Sequence, residues 1–473
     1  MRLFVLSPDS RSDGSPSGSR TQLIGNRAWS LVELDLRPNP DGHGADFVCV
    51  SYSWGLGRTP SAFHPSSLVS DRTEGAVAAV VEQRPACRSI WVDAFCVPSE
   101  EEHPAERAAT LESMGFIYAQ AAEVIVVLTA QARPAIEQLA RKHKLLPAHL
   151  DLLEQEDWVT RAWTYQEAVN ARHLSLTCEN APRGTIVSCS DFLSSLGHAL
   201  VALHPDERAA SYPRLDAFED VMGDWAVAGY LERSALQVMA IMDRRTQTRP
   251  EDHFYAMIGA LSAEPAGMKP LQQQQLASPC EAFMALCERE GDYSFIFASV
   301  KRDMTMPGRW WRPVAGPELP AIIRLSSWGG LRGRFEDGCL TLEDVVVLRP
   351  APALPHLAVF IEEFVVGFRP DGAYAGLEPG EAAFKVLQEL GFSGTSEYVA
   401  TEYGLFFPWE RLPRRDGVEI LVAVGLRWSL GAAAIARYAK SSESDDVVSC
   451  YEPGVFFGTM VDLVGSPVTV RLV

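Results

Sequence analysis

Five consecutive apolar residues, Val124-Ile125-Val126-Val127-Leu128, constrain the fold of this chain more than any other stretch. A run that short and that rich in β-branched residues reads as a strand covered on both faces. Related runs stand on either side of it. Phe47-Val48-Cys49-Val50 ends in the small, polar Ser51-Tyr52-Ser53-Trp54-Gly55, Ser89-Ile90-Trp91-Val92 ends in Asp93, and His173–Cys178 forms a fourth run. Helical patterns lie between them. Asp71–Arg84 turns Val77, Val80 and Val81 inward before Pro85. Pro104 opens a stretch in which Leu111, Met114, Tyr118 and Ala121 keep helical spacing, and residues 132–156 are charged and helical. Strand and helix alternate through 46–178, which predicts an α/β fold with a mostly parallel sheet and helices on both faces.

The stretch Trp158–Glu167 reads as a further helix in this alternation. Val159 and Trp163 stand four apart, and Glu167 four beyond Trp163 shares its face. A carboxylate there is costly unless it is paired, hydrogen-bonded or at a pocket wall. Spacing alone leaves both a structural pairing and a functional role open.

Outside this region, residues 1–6 and Ala28–Leu36 read as strands, with loops at 7–22 and Pro38–Gly44. Phe192–Leu261 is mainly helical, and Gln272–Gln275 is a polar tract in or beside a linker. After about residue 290 the texture changes to strands and turns. Ser294–Ala298, Ala321–Leu325, Ala358–Phe368, Ile420–Val424 and Val468–Val473 read as strands, Asp337-Gly338 as a hairpin turn, and Glu381–Leu390 and Ala432–Tyr438 as helices. The expected domains are an α/β domain over 1–190, a helical extension and linker over 191–289, and a C-terminal α+β domain over 290–473.

Charge and cysteine usage narrow the function classes. A net charge of −19 argues against non-specific nucleic-acid binding and against docking on an anionic membrane. No run approaches the roughly eighteen apolar residues of a spanning helix, and the N-terminus turns polar too soon for a signal peptide. The nine cysteines include no CxxC pair, and their odd number argues against a complete disulfide framework, so the expected compartment is the reducing cytoplasm. No Cys/His cluster has metal-ligand spacing, and neither a Walker A sequence, a GxGxxG after a strand nor a GxSxG is present.

Four stretches together resemble the heterokaryon-incompatibility (HET) domain family. They are Val50–Gly55, Ile90–Cys96, Met114-Gly115-Phe116-Ile117-Tyr118 running into Val124–Leu128, and Arg161-Ala162-Trp163-Thr164-Tyr165-Gln166-Glu167. Arg249–Gly259 resembles a segment that often follows in such proteins. One departure is clear: Pro98-Ser99 stand where the family usually has Asn-Gln. The HET domain is similar to the TIR domain, so the resemblance implies a TIR-like, flavodoxin-like sheet. It also implies a role in self/non-self recognition, immunity or programmed cell death. Many TIR domains cleave NAD with a glutamate in a Trp-containing helix motif. By that resemblance Glu167 is the candidate catalytic residue, NAD is a substrate and not a cofactor, and activity goes with homo-oligomers. The trigger is an unidentified protein or ligand.

The chemistry is compatible with the residues. Breaking a nicotinamide–ribose bond builds positive charge on the ribose, which a fixed carboxylate stabilises. Tyr52, Trp54 and Trp163 can stack on a ring; Ser51, Ser53 and Asp93 can meet ribose hydroxyls or phosphate; Arg161 can meet phosphate or pair with Glu167 or Asp93. Plainer roles stand beside these: Trp163 as core, Tyr52 and Trp54 as loop packing, Asp93 as a loop cap. Cys96 reads as a small buried hydrophobe, and Glu106-Arg107 as surface charge at a helix start. Two alternatives remain, a non-catalytic signalling and interaction module, and an enzyme that makes a signalling nucleotide from NAD.

Overall fold

The apolar runs lie side by side. The computed structural model describes residues 2–8, 21–36, 45–99, 103–201, 203, 211–227, 233–262, 278–305, 308–324, 329–353, 355–369, 371–412, 418–426, 432–438, 450–458 and 468–472. The expected Pro38–Gly44 loop, most of the 7–22 loop and the Gln272–Gln275 tract fall outside these residues. The chain divides into two units, Met1–Leu231 with Arg245–Gln275, and Glu232–Arg244 with Leu276–Val473. The stretch 191–289, expected as one extension and linker, is shared between them.

The first unit is built on β1 (Arg2–Pro8), β2 (Thr21–Ile24), β3 (Arg27–Asp35), β4 (Ala45–Tyr52), β5 (Arg58–Pro60), β6 (Leu68–Ser70), β7 (Ile90–Trp91), β8 (Ala121–Leu128), β9 (Leu174–Cys178) and β10 (Val187–Ser188). Its helices are α1 (Thr73–Gln83), α2 (Asp93–Cys96), α3 (Pro104–Glu112), α4 (Met114–Gln120), α5 (Arg133–Lys142), α6 (Pro147–Glu154), α7 (Ala162–Val169), α8 (Cys189–Val201) and α9 (Pro213–Val227). After α10 (Ala235–Met242), which belongs to the second unit, α11 (Pro250–Leu261) returns to the first.

The main sheet runs β10-β9-β8-β4-β7-β1-β3-β2. The four central strands β9, β8, β4 and β7 are parallel, with Ser51 beside Val126 and Val126 beside Leu176. The strands on either side of this centre are antiparallel, which the alternation of strand and helix did not reveal. Val124 to Leu128 and all of β9 are buried, as two-sided strands must be. Each buried Val, Ile or Leu among them contributes about 1.5–3 kcal/mol of burial free energy.

The Trp158–Glu167 stretch is not one helix. Trp158–Thr160 forms a 3-10 turn, Arg161 is extended (φ −86°, ψ 140°), and α7 begins at Ala162. The helical pattern after Pro104 is likewise broken at Ser113 into α3 and α4.

The second unit carries α12 (Pro279–Glu290), α13 (Pro355–Phe368) and α14 (Pro379–Glu389). Its strands are β11 (Gly333–Glu336), β12 (Cys339–Leu348), β13 (Val399–Ala400), β14 (Gly404–Pro408), β15 (Val418–Ala423), β16 (Ala432–Tyr438), β17 (Cys450–Gly458) and β18 (Val468–Leu472). They form an antiparallel sheet in the order β11-β12-β15-β16-β17-β14-β13, with β18 on β12. Asp337 and Gly338 both have positive φ, as a two-residue hairpin turn requires. Leu348, Val399, Phe406, Ile420, Val422 and Phe456 form a buried cluster on this sheet.

Four expectations fail here. Ala358–Phe368 lies in α13, whose buried Leu357, Ile361, Phe364 and Val365 follow helical spacing. Ala432–Tyr438 is a strand: the helix preference of its alanines is overridden by ladders with both β15 and β17. Ser294–Phe297 is a 3-10 turn held at its start by Asp292, which accepts from the Ser294 amide at 2.9 Å. Ala321, expected to open a strand, makes a single bridge to Ala298.

Candidate functional site

Glu167 sits in the middle of α7 and is only 4% exposed. The helix is fixed at both ends. At its start, the Arg161 carbonyl accepts from Arg245 Nη1 at 2.7 Å and from Thr164 Oγ1 at 2.9 Å. The Arg245 guanidinium also lies 5.2 Å from the centre of the Tyr165 ring, whose hydroxyl donates to Asp224 at 3.0 Å. At its end, Asn170 Nδ2 donates to the Gly259 carbonyl at 2.8 Å. Gly259 lets α11 approach closely: a Cβ there would stand 1.5 Å from Gln166 Oε1. A Cβ on Gly115 would stand 2.0 Å from the Gly259 carbonyl oxygen. Residues 245–259 therefore pin α7 from some 80 to 90 positions down the chain.

This placement brings the Glu167 carboxylate to Ser51, near the carboxyl end of β4. Ser51 Oγ donates to Glu167 Oε2 at 2.5 Å, and Trp158 Nε1 donates to Ser51 Oγ at 2.8 Å. Trp158 stacks on Phe218 of α9 at 5.8 Å. No cation closes an ion pair with Glu167 among the described residues. Burial pushes its carboxyl up to about 8, and the nearby Asp93 charge adds to that rise. Ser51 and the more distant Arg161 charge act against it. Among the described residues the buried Tyr118 hydroxyl completes no hydrogen bond of good geometry, yet it lies near enough to favour the ionised carboxylate.

Asp93 follows β7 and begins the short α2. It accepts from Trp54 Nε1 at 3.0 Å and from the Ala94 amide at 2.7 Å. Burial raises its pKa, while those two donors and Arg161 hold it down. Arg161 is half-buried, and its guanidinium has no hydrogen-bond or ion-pair partner among the described residues. Two carboxyl groups and one unpartnered cation thus share a small region at the carboxyl ends of β4 and β7. Loops at such strand ends are where open parallel sheets bind ligands.

Of the other expected site residues, Tyr52, Ser53 and Trp163 point elsewhere, while Trp54 stays at the site on Asp93. Tyr52 takes the opposite face of β4, where its hydroxyl hydrogen-bonds Thr73 Oγ1 at 2.7 Å. Ser53 accepts from Arg72 Nη1 through both its hydroxyl (2.6 Å) and its carbonyl (2.9 Å), and Arg72 pairs with Glu179. Trp163 is half-buried and turns its indole to Asp252, where it favours the ionised carboxylate. Trp54 carries Arg58 over its ring at 5.4 Å. Cys96 is wholly buried, and burial pushes its thiol up to about 12, as for a small hydrophobe. Glu106 is exposed at the start of α3, and Arg107 donates to the Pro98 carbonyl.

Sequence reasoning missed Trp158, Tyr118, Arg245 and Gly259. Trp158 carried a signal, because a buried indole N–H needs an acceptor. Arg245 carried none that spacing could read. No curated protein and no solved structure matches the chain. Residues 47–167, from the β4 run to Glu167 itself, match the family model described as Heterokaryon incompatibility protein (HET).

Proposed function

We propose that this chain is a TIR-like effector of a defence or programmed-cell-death system and that it hydrolyses the nicotinamide–ribose bond of NAD. Glu167 serves as the catalytic carboxylate. The observation that carries the reading is a buried carboxyl with no ion-pair partner among the described residues, held by a hydroxyl beside Asp93 and Arg161. The match of residues 47–167 to the heterokaryon-incompatibility family supports the cell-death role.

In the proposed reaction the ribose C1′–nitrogen bond breaks. Its electron pair leaves with the nicotinamide, whose ring charge is thereby neutralised. Positive charge builds on the ribose, and water adds at C1′ and loses a proton. Ionised Glu167 stabilises that charge, as carboxylates do in glycoside hydrolysis. Asp93 holds a ribose hydroxyl, Arg161 meets a phosphate, and Trp54 closes the pocket. The second unit senses the trigger, restrains the enzyme or mediates assembly into a homo-oligomer.

The competing reading is a non-catalytic interaction module, favoured by the 4% exposure of Glu167. NAD consumption by the purified full chain over a range of protein concentrations, with products identified, separates the readings. Nicotinamide and ADP-ribose, formed more steeply at high concentration, support an assembly-dependent hydrolase. A cyclic product indicates a signalling-nucleotide enzyme. Intact NAD in cells that die on expression supports the interaction module.

A further inference from the structure

The contacts around Ser51 have only one consistent direction. An indole N–H donates and never accepts, so at the 2.8 Å contact with Trp158 the Ser51 oxygen is the acceptor. Ser51 has one hydrogen of its own. Its other side-chain contact among the described residues is Glu167 Oε2 at 2.5 Å, so that hydrogen is donated there. Were Oε2 the protonated oxygen, Ser51 would accept twice and its own hydrogen would be left buried without an acceptor, a costly arrangement. Ser51 is fully buried and Trp158 is 1% exposed, so water does not offer an easy substitute. The stacking of Trp158 on Phe218 holds the indole in place.

We propose that Trp158 and Ser51 are positioning residues that make Oε2 of Glu167 a permanent acceptor, so that any proton the carboxyl carries sits on Oε1. Oε1 is then the one oxygen that changes state, whether as acid, base or charge stabiliser. The charged and titratable groups that act on this carboxyl are Asp93, Arg161 and Tyr118, and Cys49 and Tyr52 feel its charge in turn. The functional weight of the relay rests on the reading of Glu167 given above. Its spectroscopic test does not, because it needs no substrate.

The test uses the full chain labelled with ¹⁵N in its tryptophan indoles and titrated about two pH units either side of about 8. Two indole signals are expected to follow Glu167, that of Trp158 through Ser51 and that of Trp54 through Asp93. Trp158→Phe assigns the first signal by removing it. Ser51→Ala abolishes the pH response of Trp158 alone, and Glu167→Gln flattens both. Difference infrared spectra between wild type and Glu167→Gln isolate the Glu167 acid band. Trp158→Phe moves its midpoint up by about half to one pH unit, because Ser51 becomes a weaker donor to the ionised form. A wild-type Trp158 signal that stays flat while the Glu167 band titrates overturns the relay, as does an unmoved midpoint in folded Trp158→Phe. If that variant does not fold, the wild-type titration still decides, and absent NAD cleavage affects neither result.

Discussion

Two glutamates are buried near the carboxyl ends of the parallel strands, and they are held in different ways. Glu156 is 1% exposed, and Thr129 meets it with both its amide, at 3.1 and 3.2 Å, and its hydroxyl. It closes the turn that follows β8. Glu167 is 4% exposed and, among the described residues, takes one side-chain hydrogen bond of good geometry, from Ser51. Burial raises both groups. For Glu156 the next largest influences are the Thr129 donors, which favour its charge; for Glu167 the next is the like charge of Asp93, which opposes it. The contrast separates a carboxylate that completes a fold from one kept near its ionisation point. Charge-favouring donors stabilise the first, and their scarcity keeps the second poised.

The largest expected effect breaks the comparison on the Glu167 side. Under the hydrolase reading, Glu167→Gln lowers the rate of NAD cleavage by about 10²–10⁴-fold, measured by nicotinamide release from folded protein. Glu156→Ala acts on the fold instead. It leaves the Thr129 amide without its acceptor and costs about 1–3 kcal/mol in denaturant unfolding. Cleavage per folded molecule stays near wild type. Gly259→Ala forces a Cβ to within 1.5 Å of Gln166 Oε1 and also costs about 1–3 kcal/mol, read as a lower melting temperature.

The pH response sharpens the same contrast. Glu167 is raised to about 8 in the folded chain, above its unfolded value near 4.3. A raised group contributes stability that is fully present below the unfolded value and is lost as pH climbs through the folded one. Unfolding free energy should therefore fall from about pH 4 to about pH 8, and Glu167→Gln should flatten that part of the profile. Cleavage moves the other way, rising through about pH 8 as the carboxylate ionises. The smallest effect is that of Arg245→Met. It removes the donor to the Arg161 carbonyl and the cation over Tyr165, at a cost of about 1 kcal/mol in unfolding.

Much of the first unit was legible in the sequence, because two-sided strands declare themselves as short apolar runs. The central strands fall on Phe47–Val50, Ile90-Trp91, Val124–Leu128 and Leu174–Cys178. The second unit was harder to read. Ala432–Tyr438 owes its strand to neighbours on both sides, and Ala358–Phe368 hides a helical stripe within an apolar composition. Glu167 shares a helical face with Trp163 by spacing, but spacing does not identify the indole that orders its carboxylate. Trp163 turns to Asp252, and the indole that orders the carboxylate is that of Trp158, across the break at Arg161. Arg245 and Gly259 act through contacts that form only when the chain returns to α7, and no local pattern encodes such returns.

The most direct measurement sets the two glutamates against each other: NAD cleavage and unfolding free energy for wild type, Glu167→Gln and Glu156→Ala, in parallel. The account predicts that Glu167→Gln stays folded and loses cleavage, while Glu156→Ala loses stability and keeps cleavage per folded molecule. Full cleavage by folded Glu167→Gln would contradict it.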